Sequence, residues 1–255
     1  MARLPWLPAN RLRTTGRPTS SNGASSFHLT WMLGPSASLV EVSAVLEVLV
    51  PPAVDSLYFW ALQVSFAGGA DRGGAHVGLQ WNARHRGGRA VNWGGYAPGG
   101  GLLRGTESTL ASTPDDPNTR DYPWEPRRPY RLRVSPSAGL AGHWQGEVTD
   151  LATGDATVIR HLEAGGDRLV APVVWSEVFA RCDDPSVSVR WSGLEGRTAA
   201  GEVVTPRGLA VNYQARAAGG CDNTTVGLDE LGVVQTTNAG RSMAGGGIIA
   251  LRSLR

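Results

Sequence analysis

The sequence predicts an all-β protein: a two-sheet antiparallel sandwich of the jelly-roll type. Three observations carry that reading. Apolar and polar residues alternate with a period of two through about a dozen short runs. Turn chemistry separates the runs at near-regular spacing, from a chain holding 34 Gly and 16 Pro in 255 residues. No stretch longer than two helical turns keeps a helical period. The length fits a single β domain.

Residues 1–26 are rich in Arg, Pro, Ser and Gly without a period, and read as a disordered N-terminal arm before a single domain over 27–255. In 39–50, Val40, Val42, Ala44, Leu46, Val48 and Val50 fall on one side, and Pro51 and Pro52 end the strand because proline cannot donate to a ladder. Tyr58, Trp60, Leu62, Val64 and Phe66 repeat the pattern, with Gln63 and Ser65 opposite. Glycines at 68–74 turn the chain into Val77, Leu79 and Trp81, which alternate with His76, Gly78, Gln80 and Asn82. A tight turn at 84–89 leads to Val91 and Trp93. Residues 94–128 are the longest irregular stretch, broken by a short strand near Leu102 to Leu110.

Strands follow at Tyr130–Val134, at His143–Thr149, and, after a hairpin turn at 150–155, at Thr157–Leu162. Leu169–Phe179 comes next, with Pro172 marking an edge or a bulge. Runs at 187–191, 209–213, 233–236 and 248–251 close the chain. Trp60, Trp81, Trp144, Trp175 and Trp191 lie on apolar sides and are expected between the sheets. Arg131, Arg133 and Arg190 fall on polar sides, the ordinary solvated face of a sheet, with acidic glycans as the other reading.

Charge narrows the partners. The net charge of +2 is 24 basic against 22 acidic residues, too balanced for a grip on nucleic acid through its phosphates. Every basic residue is Arg; without Lys a Walker phosphate loop, a Schiff-base lysine and a catalytic lysine are excluded. No apolar run reaches the ~18 residues of a membrane span. Leu4, Trp6 and Leu7 are broken by Pro5 and Pro8, so the apolar core of a signal peptide is not visible in 1–26. Cys182 and Cys221 stand in turn-like segments of a β chain and read as one disulfide, which points to an oxidising, extracellular compartment; two free buried thiols are the alternative.

The segment 130–192 carries a resemblance. It holds Pro129 to Val134, His143-Trp144-Gln145, Val148 to Gly154, Trp175 to Phe179, Cys182 to Pro185 and Val189-Arg190-Trp191. Over residues 27–251 the chain resembles uncharacterised, mostly actinobacterial, secreted proteins. Their sandwich is similar to the concanavalin-A-like jelly roll of lectins, laminin-G modules and some glycosidases. The resemblance implies a secreted sandwich and assigns no catalytic residue.

Chemical motifs are sparse. Glu147-Val148-Thr149-Asp150 lacks the spacing of a Glu-x-Asp-x-x-Glu glycosidase strand, whose two carboxylates must flank the sugar bond. Gly240 to Ala244 faintly resembles a nucleophile elbow, but no histidine follows His161. His76, His143 and His161 read as exposed strand positions. If the cysteines pair, Asp183, Asp184 and Asp222 come together with Asn223 as oxygen ligands for calcium; Asp115, Asp116, Asn118 and Asp121 form a second such group. No other cofactor is expected. Asn82, Asn92, Trp93, Tyr96 and Trp124 combine rings with amides, as a sugar-binding surface requires. The expected function is therefore a non-catalytic extracellular sandwich that binds carbohydrate. A polysaccharide-active glycosidase or lyase, or a purely structural module, are the alternatives.

Overall fold

The computed structural model describes residues 12–34, 38–68, 73–112, 114 and 116–251. Their strands are β1 (Ser25–Trp31), β2 (Leu39–Val50), β3 (Tyr58–Ala67), β4 (Gly74–Trp81), β5 (Arg89–Tyr96), β6 (Thr119–Asp121), β7 (Pro129–Pro136) and β8 (His143–Asp150). They continue with β9 (Ala156–Glu163), β10 (Arg168–Val178), β11 (Ser188–Thr198), β12 (Val203–Val204), β13 (Gly208–Tyr213), β14 (Thr225–Leu228), β15 (Val233–Thr236) and β16 (Ile248–Ala250).

Pairing is antiparallel throughout and divides into two layers. One runs β16-β13-β1-β10-β3-β4-β5-β6; the other runs β14-β15-β11-β2-β7-β8-β9, with β12 on β11. A single pair, Leu169 with Leu39, joins the layers through β10 and β2. This is the expected all-β antiparallel sandwich. The run near Leu102 to Leu110 contributes only isolated bridges, Tyr96 with Leu102 and Gly105 with Leu162.

The core forms where the inner sides meet. Val42, Ala44, Leu46 and Val48 of β2 face Tyr58, Trp60, Leu62, Val64 and Phe66 of β3, and all of them are buried. Removing each large side chain from water contributes about 1.5–3 kcal/mol. Gln235 pins the layers from inside: its Oε1 accepts from Ser176 Oγ (2.7 Å) and Trp191 Nε1 (2.8 Å), and its Nε2 donates to the Phe27 carbonyl (3.1 Å). Four buried polar groups are thereby satisfied across the interface.

Pro172 marks a bulge as expected, while the places of Trp175, Trp81 and the N-terminal residues are corrected. Pro172 sits in a bulge, since β10 changes register against β3 between Val170 and Val173, and the bulge places Trp175 on the outer side. Trp60, Trp144 and Trp191 are core as expected, while Trp81 is half-buried. Residues 12–26 are not a free arm: Arg13 N–H donates to Asp222, Gly16 N–H to Asp183 (3.0 Å), Cys182 N–H to the Gly16 carbonyl (2.7 Å), and β1 already begins at Ser25. Residues 1–11 lie outside the described set.

Cys182 and Cys221 are bonded, with Cα atoms 5.7 Å apart, and tie the turn after β10 to the segment before β14. Such a bond persists in an oxidising environment. No helix among the described residues is long and apolar enough to cross a membrane.

Candidate functional site

The outer side of the β1-β10-β3-β4-β5 layer carries the side chains that alternate with the core. Register aligns them in rows across the strands. The first row is Ser26, Glu177, Phe59, Gln80, Ala90 and Asp121; the second is Asn212, His28, Trp175, Ala61, Gly78, Asn92 and Thr119. Val173, Gln63 and His76 share the third. Small residues in the middle of the second row and rings beside them make an apolar floor: Phe59, Ala61, Val173 and Trp175 form a buried cluster of their own.

The rings fix one another. Phe59 meets Trp175 edge-on at 4.8 Å and His76 at 5.4 Å. Trp175 Nε1 donates to Gln63 Oε1 (3.1 Å), and Gln63 Nε2 donates to the Tyr96 hydroxyl (3.3 Å). Burial pushes His76 down to about 4, so its imidazole is neutral at mildly acidic pH, and burial lowers His28 as well. His76 is thus not the exposed strand residue that the sequence suggested.

Two groups in the first row are chemically competent. Burial pushes the Glu177 carboxyl above its ordinary range, partly offset by hydrogen bonds from Ser26 Oγ (3.1 Å) and Asn22. No cation pairs with Glu177 among the described residues. Gln80, only 5% exposed, has its Oε1 held by Asn82 Nδ2 (3.1 Å), which leaves Nε2 as the free donor of the amide. Two strand spacings separate Glu177 from Gln80, about 10 Å between Cα atoms. At the far end of the row Asp121 holds the buried His85 (2.7 Å). Neither Glu177 nor Gln80 stood out in the sequence reading. The usable signal was Glu177 as the lone acid of the β10 run.

The expected sugar-binding set does not assemble. Trp93 and Trp124 are core at 0% exposure, and Trp124 Nε1 donates to the Gln80 carbonyl (3.0 Å). Asn92 is buried, with its Nδ2 on Thr119 Oγ1 (2.9 Å). Asn82 orients Gln80, and the exposed Tyr96 braces Gln63. Trp93 and Trp124 are hydrophobic anchors, as tryptophan usually is.

The expected calcium ligands are otherwise engaged. Asp183 pairs with Arg181 (3.1 Å), Asp184 accepts the Arg181 N–H (2.8 Å), and Asp222 accepts the Arg13 N–H. Asn223 Nδ2 donates to the Cys182 carbonyl (2.7 Å). In the second group Asp116 accepts the N–H groups of Asn118 and Thr119, Asn118 takes Arg160 and Asp121 takes His85, while Asp115 lies outside the described residues. These are turn and cap roles. Among the described residues no three or more His, Cys, Asp or Glu are arranged to hold a metal ion.

No protein-family model matches the chain, and no curated relative matches it. Solved structures do. A scytalido-glutamic peptidase with a peptide-based transition-state analogue is 11% identical at a TM-score of 0.47. SCP-B, a member of the eqolisin family of peptidases bound to the tripeptide Ala-Ile-His, is 11% identical at 0.46. The comparison covers 84% of this chain and 98% of the other in both cases. A scytalido-glutamic peptidase with a transition-state analogue inhibitor is 13% identical at 0.43, with the same coverage. At these values the likeness is a loose one of strand arrangement. The reading as a non-catalytic carbohydrate-binding sandwich is corrected on the geometry: Trp93 and Trp124, the indoles meant to hold sugar, are core, and Asn92 is buried on Thr119.

Proposed function

We propose that the outer side of the β10-β3-β4 strands is the working face of an exported, acid-acting hydrolase that cleaves amide bonds in extended polypeptide. The observation that carries this reading is the first row: a carboxyl raised by burial and an amide whose oxygen is already taken by Asn82, on one side of one layer in matching register. Phe59 stands between them in sequence register, but its ring packs against Trp175 and His76, which leans it towards the neighbouring rows. The reaction requires a substrate carbonyl to lie between these two groups.

The chemistry follows from those two groups. Glu177 in its ionised form takes a proton from a water molecule, whose oxygen bonds to the carbonyl carbon. Gln80 Nε2 donates to the developing oxyanion. Collapse breaks the C–N bond, and Glu177 returns its proton to the leaving amine. A raised carboxyl suits both halves, because it holds a proton readily and still loses it near the working pH. The apolar floor of Phe59, Ala61, Val173 and Trp175 gives apolar substrate side chains a seat.

The test is cleavage of a heat-unfolded protein between pH 3 and 6, read by mass spectrometry. Glu177→Gln removes the proton carrier and is expected to reduce the rate by at least about 100-fold. Gln80→Ala removes one oxyanion donor and is expected to cost about 100-fold with little change in KM. Wild-type protein that leaves the substrate intact over that range contradicts the reading.

A further inference from the structure

A concavity opens at one end of the sandwich, where β11, β13 and β16 meet the hairpin between β14 and β15; it measures about 400 Å3. That is within the usual size of small-ligand sites. Trp191, Leu194, Pro206 and Val233 are buried in its wall, Leu251 adds to it, and Leu231 stands at the mouth 61% exposed.

The local backbone keeps this mouth open. β11 loses register against β2 between Ser192 and Glu195, and Gly193 there adopts a φ of 53°. A bulge of this kind turns a strand away from its ladder. Leu231 is presented outward by a braced turn: Asp229 Oδ1 accepts the N–H groups of Leu231 and Gly232, both at 2.9 Å, while Oδ2 takes Arg190 at 2.7 Å. Gly232 is required in that turn, since a Cβ would fall 2.2 Å from the Trp191 carbonyl oxygen.

The rim carries charge without partners. Arg207 is fixed by its backbone, its N–H on the Met32 carbonyl (3.0 Å) and its carbonyl accepting from Leu251 (3.1 Å). Its exposed guanidinium, like the exposed Glu195 carboxylate, has no ion pair or hydrogen bond among the described residues. Besides these charges, Ser192 and Thr205 add two hydroxyls to the lining, and the rest is apolar or backbone. An apolar wall with a braced, exposed leucine calls for an apolar segment of the occupant, and a polar rim with an unpaired guanidinium calls for an anionic head.

We infer that this mouth binds a single-chain amphiphile with a carboxylate head, of the fatty-acid class. The tail lies against Trp191, Leu194, Val233 and Leu231, and the head takes Arg207. Glu195 repels the head from the opposite part of the rim and so orients it.

Calorimetry of the full chain with decanoate and with decanol tests this directly. Decanoate is expected to saturate one site and to bind tighter than decanol, with an advantage that shrinks as salt rises. Arg207→Ala is expected to weaken decanoate about tenfold and leave decanol unchanged. Glu195→Gln is expected to strengthen decanoate by a few-fold, and Leu231→Asp to weaken both ligands. The wild-type preference and its salt dependence keep the test decisive even where a variant misfolds. Equal affinity for the two ligands, absence of saturation below the micellar concentration, or a dimer in light scattering that closes the mouth with a second copy each overturn the inference.

Discussion

The two layers turn opposite kinds of surface to solvent. On the β2-β7-β8-β11 layer Arg133, Arg190 and Arg197 each have counter-charges. Arg133 lies between Glu147 (2.8 Å) and Glu41 (3.3 Å), Arg190 between Glu47 and Asp229 (both 2.6 Å), and Arg197 reaches Glu41 (3.8 Å). Its half-buried arginines are paired, while the exposed Arg131 and Glu195 carry no ion pair among the described residues. On the β10-β3-β4 layer the polar half of the same alternation holds amides, imidazoles, rings and one carboxyl raised by burial, with no cation beside it. Strand periodicity builds both faces equally well. What distinguishes a working face is a titratable group left without its partner at a desolvated position.

The comparison is broken most severely at Glu177. Glu177→Gln is expected to abolish hydrolysis while leaving the fold intact. The same variant also reports on stability. A carboxyl whose folded pKa is raised supports the fold below its unfolded value and loses that support as pH rises through the folded value. Urea midpoints of the wild type should therefore fall relative to Glu177→Gln from about pH 4 upwards.

Next in size is the disulfide, which serves neither face. Reducing it, or replacing Cys182 and Cys221 by Ser, should cost about 4 kcal/mol for a loop of this length and lower Tm accordingly. Peptide hydrolysis measured well below the new Tm should persist.

His76 sharpens the contrast. Its pKa is depressed to about 4, so its neutral form supports the fold, and that support is lost as pH falls from about 6.5 towards 4. His76→Gln should flatten the acid limb of the stability curve across that window. A wild type and variant with parallel curves there would remove the desolvated imidazole from the account.

The smallest effect is expected on the paired face. Arg190→Gln leaves Glu47 and Asp229 without their shared cation, and should cost about 1–3 kcal/mol in chemical denaturation, less at high salt. Hydrolysis should be unchanged.

Much of this architecture is legible in the residues. The period of two in 39–50 and 58–66 names the inner sides of β2 and β3, Pro172 marks a bulge, and two cysteines predict one bond. The faces of β10 are harder. Leu169 and Trp175 are an even number of residues apart, so simple alternation puts them on one side. The bulge between Val170 and Val173 inserts a residue and reverses the phase, which sends Leu169 to the core and Trp175 outward. Trp93 and Trp124 were misplaced for another reason. Trp93 lies within a short strand with Gly94 and Gly95 after it, and Trp124 lies in irregular chain, so neither has a period long enough to give its side. The row of Glu177 and Gln80 depends on register between strands almost a hundred residues apart, a long-range property that local patterning does not encode.

The most direct measurement sets the two faces against each other: cleavage of one unfolded polypeptide, at the pH of highest rate, by the wild type, Glu177→Gln and Arg133→Gln side by side. The account predicts that Arg133→Gln cleaves as the wild type does and that Glu177→Gln leaves the substrate whole. Equal rates for wild type and Glu177→Gln, or no cleavage by any of the three, would contradict it.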